Sequence, residues 1–81
     1  MDEYAPVKAP ENLLRCPMPG IIVEILAQEG ERVSRGQELA LLESMKMQSG
    51  VASPCDATVQ KVMVQKGQTV ERGDILFAFR T

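Results

Sequence analysis

Apolar residues come in short runs from residue 21 to the end of the chain: Ile21-Ile22-Val23, Ile25-Leu26-Ala27, residues 39–42, Val62-Met63-Val64 and residues 75–79. Glycines at 30, 36, 67 and 73 break the pattern. Runs this short and this interrupted do not make helices of ten or more residues. They predict strands over 21–27, 38–43, 58–64 and 75–80, with a further strand-like segment over 47–52. The alternation is imperfect in one respect: Ile22 and Ile25 are out of phase with a two-residue period, and so are Val59 and Val62. A bulge at the same place in two strands accounts for both.

The two disturbed strands belong to an internal repeat. Shifting residues 17–43 by 37 positions places Pro17, Gln28, Gly30, Val33, Arg35, Gly36 and Leu39 on Pro54, Gln65, Gly67, Val70, Arg72, Gly73 and Leu76. Ile22/Val59, Ile25/Val62, Leu26/Met63 and Leu42/Phe79 are conservative matches in the same alignment. Each copy reads as a strand, a turn whose glycine takes φ > 0, a single valine plugging the core, a second glycine turn and another strand. One such copy has too few strands to bury its apolar face. Two copies related by a quasi-two-fold axis, packed as two small antiparallel sheets face to face, bury both. The expected fold class is all-β, with the domain over residues 13–81.

Residues 1–12 carry Pro6, Pro10 and acidic side chains without periodicity and read as a tail or linker. As a flexible coil they reach roughly 20 Å, and extended by their prolines about 35–40 Å. The whole chain is 81 residues, enough for one small domain and not for a catalytic cleft of ordinary size. The core is aliphatic, because only Tyr4, Phe77 and Phe79 are aromatic. A net charge of -2 with the signs interspersed gives no footprint for nucleic acid or an anionic membrane. No apolar run approaches the ~18 residues that span a bilayer. The chain has no histidine, and its two cysteines, Cys16 and Cys55, lie far outside zinc-ligand spacing. Both read as small buried or half-buried thiols of a reducing compartment, the cytoplasm or a mitochondrial matrix.

One segment fits none of this economy. Glu43-Ser44-Met45-Lys46-Met47-Gln48 sets a lone lysine between two thioethers, in a stretch bounded by strands. A core lysine would have to desolvate its ammonium, at several kcal/mol unless paired. Lys46 is therefore exposed, on the hairpin that joins the two copies. Met45 and Met47 beside it form soft apolar surface that another protein can read. Lys8, Lys61 and Lys66 lack any such collar and read as solvated. The quasi-symmetry sets the chain ends opposite the hairpin, so tether and displayed lysine point in opposite directions.

Taken with Pro17-Met18-Pro19-Gly20 upstream, the paired Gly-x-x-Val-x-x-Gly turns and about 35 residues after the lysine, this segment resembles the biotinyl, or biotin carboxyl carrier, domain. The similarity runs from Leu13 to the end of the chain. It implies a flattened β-barrel or sandwich of two four-stranded sheets with the lysine on a tight hairpin. It also implies that a biotin protein ligase joins biotin to Lys46, reading Met45, Met47, Glu43 and Ser44. A biotin carboxylase and a carboxyltransferase then load and unload the carboxyl group. The carrier itself is non-catalytic and, as an isolated domain, monomeric. With no phosphate-cradling loop and no histidine base, the residues agree that ATP chemistry and enolate chemistry belong to partners.

Two departures refine the resemblance. Ser44 stands where alanine is usual, an equally small side chain. Ala27-Gln28-Glu29-Gly30 leaves no space for the protruding thumb of the acetyl-CoA type of carrier, so the chain resembles the thumbless carriers of propionyl-CoA carboxylase, pyruvate carboxylase, transcarboxylase and the decarboxylases. Residues 14–20 with Met47-Gln48 lean towards the propionyl-CoA kind. Two other readings compete. A lipoyl domain shares the fold but usually has an acidic residue before its lysine and a small one after it. An unmodified interaction module would use the methionines as a docking patch.

Overall fold

The computed structural model describes residues 12–80 as eight strands. They are β1 (Leu13–Arg15), β2 (Gly20–Ile25), β3 (Arg32–Val33), β4 (Glu38–Ser44), β5 (Met47–Ala52), β6 (Ala57–Val62), β7 (Thr69–Val70) and β8 (Ile75–Arg80). The expected tail over 1–12 lies, but for Asn12, outside the described residues, as does Lys8. The strands form two four-stranded antiparallel sheets, ordered β1-β8-β6-β3 and β5-β4-β2-β7. Each sheet draws two strands from each copy of the repeat. Neither copy makes a sheet by itself, an interlocking that goes beyond the face-to-face packing expected from the repeat.

The quasi-two-fold extends into the hydrogen bonds. Gly30 N–H donates to Val59 O at 2.7 Å, and Gly67 N–H to its counterpart Ile22 O at 2.7 Å. Gly36 N–H donates to Ser53 O at 2.9 Å, and Gly73 N–H to Cys16 O at 2.8 Å. Each glycine thus ties its own turn to the opposite copy. All four have φ between 87° and 93°, the value that the third residue of a type II turn requires and that favours glycine. A side chain closes every turn: Glu31, Gln37, Gln68 and Asp74 accept from the backbone N–H three residues back.

The anticipated bulges occur at equivalent places, between Ile22 and Glu24 in β2 and between Val59 and Lys61 in β6. Both β2 and β6 begin one residue earlier than the apolar runs suggest and end two earlier. Leu26 and Met63 donate to Leu39 O and Leu76 O as the chain turns away, and Ala27 and Val64 are buried beyond the strand ends. The short strand β1 was not individually foreseen. Leu13 pairs Ala78 as Gly50 pairs Leu41, 37 residues apart in both partners, so β1 is the counterpart of the end of β5. The described chain ends therefore take the place that the β4–β5 hairpin holds in the other half.

Between the sheets lie Ile22, Val33, Leu39, Leu42, Val59, Val70, Leu76, Phe77 and Phe79, all essentially without solvent contact. The two phenylalanine rings stack with centroids 6.4 Å apart, supplying apolar area an otherwise aliphatic core lacks. Val33 and Val70 plug the core from the two-residue strands β3 and β7. Cys16 and Ser53 are also equivalent and buried. The Cys16 thiol donates to Met18 O at 2.9 Å and the Ser53 hydroxyl to Cys55 O at 2.6 Å, so each pins the loop that follows it. Cys16 and Cys55 are both free thiols.

Candidate functional site

The β4–β5 hairpin closes on two residues. Ser44 pairs Met47, and Met45 and Lys46 form the loop with φ of 53° and 68°. Positive φ at both central positions is the type I′ geometry, whose twist matches antiparallel strands and which usually recruits Asn-Gly or Asp-Gly. Methionine and lysine there cost about 1–2 kcal/mol each, because Cβ crowds the following carbonyl oxygen. Strain of this kind is concentrated at functional sites, and here it falls on a tip with no core to hold. The expected result is that Met45→Asn, a residue tolerant of this region, gains about 1 kcal/mol. Its thermal midpoint, followed by circular dichroism, rises by about 4–8 °C.

Lys46 is exposed, and so are Met45 at 92% and Met47 at 73% of their full surface. On one side of the hairpin lies a groove of about 290 Å³ lined by Met18, Ser44, Met45, Met47, Gln48 and Ser49. The structure thus brings Ser44, Met45 and Met47 together beside the lysine. Glu43 pairs Ile21 and Gln48 across the sheet and is exposed, but does not line the groove.

Met18 is the residue that the site reading missed. It sits in the loop between β1 and β2, 39% exposed, far from the hairpin in sequence and against it in space. Two contacts hold that loop. Cys16 pins the Met18 carbonyl, and Gly20 lies so close to the Glu43 carbonyl that no Cβ fits between them. The signal was present in Pro17-Met18-Pro19-Gly20, where the glycine permits the approach and the prolines stiffen the chain on either side of Met18.

The other described lysines differ in setting. Lys61 stands exposed on β6, and Lys66, in the Gly67 turn, lies 3.3 Å from the Glu24 carboxylate. Among the described residues no group of three His, Cys, Asp or Glu side chains could hold a metal ion. No described helix is long and apolar enough to cross a membrane. The arrangement offers a primary amine at a hairpin tip and an apolar groove next to it.

Comparison with known proteins gives matches over the same region. Residues 12–79 match the family model described as biotin-requiring enzyme. The chain is 42% identical over 65 residues to the human mitochondrial propionyl-CoA carboxylase alpha chain, an alignment covering 80% of this chain and 9% of that protein. It is also 42% identical over 65 residues to the biotin carboxyl carrier protein of Streptococcus mutans, covering 80% of this chain and 50% of that one. A solved single-chain, multi-domain long-chain acyl-CoA carboxylase superposes with a TM-score of 0.78 at 40% identity, over 83% of this chain and 7% of the carboxylase. The chain therefore spans at most half the length of these relatives.

Proposed function

The chain belongs to the family of biotin-requiring enzymes, and we propose that it serves there as the carboxyl carrier, with biotin joined by an amide to the ε-amine of Lys46. The observation that carries this reading is the strained, exposed Met45-Lys46 turn: the fold spends stability to hold one amine clear of its own surface. Lys46 is exposed at the hairpin tip, so the residues present fit an arm attached at its amine. Bound biotin supplies a ureido nitrogen that accepts a carboxyl group at one site and releases it at another.

The chain's own residues hold, orient and display. The type I′ turn aims Lys46 away from the sheets. Met45, Met47 and Met18 give a biotin protein ligase an apolar surface beside the amine, and the small Ser44 lines the same groove. The neutral amine is the nucleophile, and the ligase's site must supply the desolvation, because the hairpin is in water. Ligation removes the ammonium charge, taking the formal net charge from -2 to about -3 as the amide forms. The biotin carboxylase and carboxyltransferase that use the arm are partners or neighbouring domains of a longer assembly. The isolated domain is a monomer, and its compartment is the cytoplasm or a mitochondrial matrix.

The test is the mass of the domain after expression with a biotin protein ligase. One biotinyl adduct on the peptide containing Lys46, with retention on avidin, is the expected result. A lipoyl adduct at Lys46, or an unmodified Lys46 after exhaustive ligase treatment, would sink the proposal.

A further inference from the structure

Three of the chain's five methionines meet at the groove beside Lys46, and two of them are the most exposed large apolar side chains among the described residues. None of the three belongs to the core. A thioether in that setting is open to attack by oxidants, and its sulfoxide is polar and chiral where the parent side chain was apolar and adaptable.

We infer that Met45 and Met47, with Met18 beside them, form an oxidation site at which hydrogen peroxide switches off acceptance of biotin at Lys46. The inference rests on the reading of Lys46 as the acceptor. In the reaction a sulfur lone pair attacks one peroxide oxygen; the S–O bond forms as the O–O bond breaks. The departing hydroxide takes up the proton of the attacked oxygen and leaves as water. Sulfur is oxidised by two electrons and the peroxide reduced by two. A methionine sulfoxide reductase with a thiol reductant reverses the change. The lysine is untouched, but the surface around it gains dipoles that a ligase's apolar contacts cannot satisfy.

Met63 provides an internal control. It is 47% exposed, more than Met18, yet it follows β6 and does not line the groove. Peroxide will oxidise it as well, without consequence for Lys46.

The experiment uses the unbiotinylated chain in three states: untreated, oxidised with hydrogen peroxide, and oxidised then repaired with methionine sulfoxide reductases A and B. Peptide masses locate the added oxygens, and kcat/KM for ligase-catalysed biotin incorporation is measured in each state. The untreated chain must first accept biotin at Lys46. If it does not, the acceptor reading fails, and oxidation is not the cause. The expected result is at least a tenfold loss once Met45 and Met47 carry oxygen, recovered on repair, with the same loss in Met63→Leu and an unchanged thermal transition. Full-rate incorporation into the doubly oxidised chain, a loss that repair does not restore, or a loss abolished by Met63→Leu would each overturn it. So would oxidation that melts the domain.

Discussion

Lys46→Arg is expected to abolish biotin incorporation, by a factor of at least about 10³, while the domain stays folded. The guanidinium stays protonated and offers no neutral amine to an activated acyl group. In other respects the exchange is mild. Arginine keeps the charge, the length and the exposed position, and it carries the same Cβ into the positive-φ turn, so the strain of the hairpin is unchanged. The thermal midpoint stays within about 4 °C of the parent, the upper end of the shift for a surface change below about 0.5 kcal/mol. Incorporation is read with a biotin protein ligase and an avidin gel shift, and stability by circular dichroism. Labelling that moves to Lys61 or Lys66 in the variant would count against Lys46. Neither has a methionine neighbour, and Lys66 is already beside Glu24.

That expectation contrasts two kinds of position, and they differ in how openly the sequence announced them. The repeat exposed the core. A valine three residues after each first glycine, at Val33 and Val70, needs no knowledge of partners to be read as buried, and the out-of-phase isoleucines and valines marked the bulges in β2 and β6. Lys46 was legible for the opposite reason: charge between two thioethers cannot be core, so it had to be tip. What stayed hidden depended on distance along the chain. β1 is three residues long and its partner, β8, lies over sixty residues on, so no local pattern speaks for it. Met18 joins the hairpin only because Gly20 lets two backbones touch. The type I′ turn was also hidden, since Met-Lys is a pairing that turn chemistry disfavours. Local preference loses there to the use made of the side chains, as expected of a functional tip.

The same division explains why the site tolerates strain. The four glycine turns each bond to the opposite copy, and both sheets mix strands from the two copies. Opening the hairpin tip leaves all of those bonds in place. The body is tied together without the tip, so strained residues at the tip cost the core nothing.

Val33→Asp tests that body, and its expected effect on stability is the largest in the molecule. Val33 is 1% exposed in a two-residue strand, paired through Arg32↔Thr58 and Val33↔Ala57 to the other copy. A carboxylate there has no described cation beside it in the core cluster, whose members are apolar. Burying it unpaired costs several kcal/mol, against a total stability of about 5–10 kcal/mol for a domain this size. The lost valine contacts add to that cost. The variant is expected to show no cooperative thermal transition above 25 °C, and Leu39→Asp, at another fully buried position, to behave alike. Lys61→Asp, equally a new carboxylate but on the exposed face of β6, should leave the midpoint nearly where it was. Because β3 contributes to a sheet that neither copy makes alone, the loss spreads to both halves: amide exchange in β6 and β8 accelerates along with that in β3. A Val33→Asp domain melting at the parent temperature would mean that the two copies do not share an interlocked core, whatever happens at Lys46.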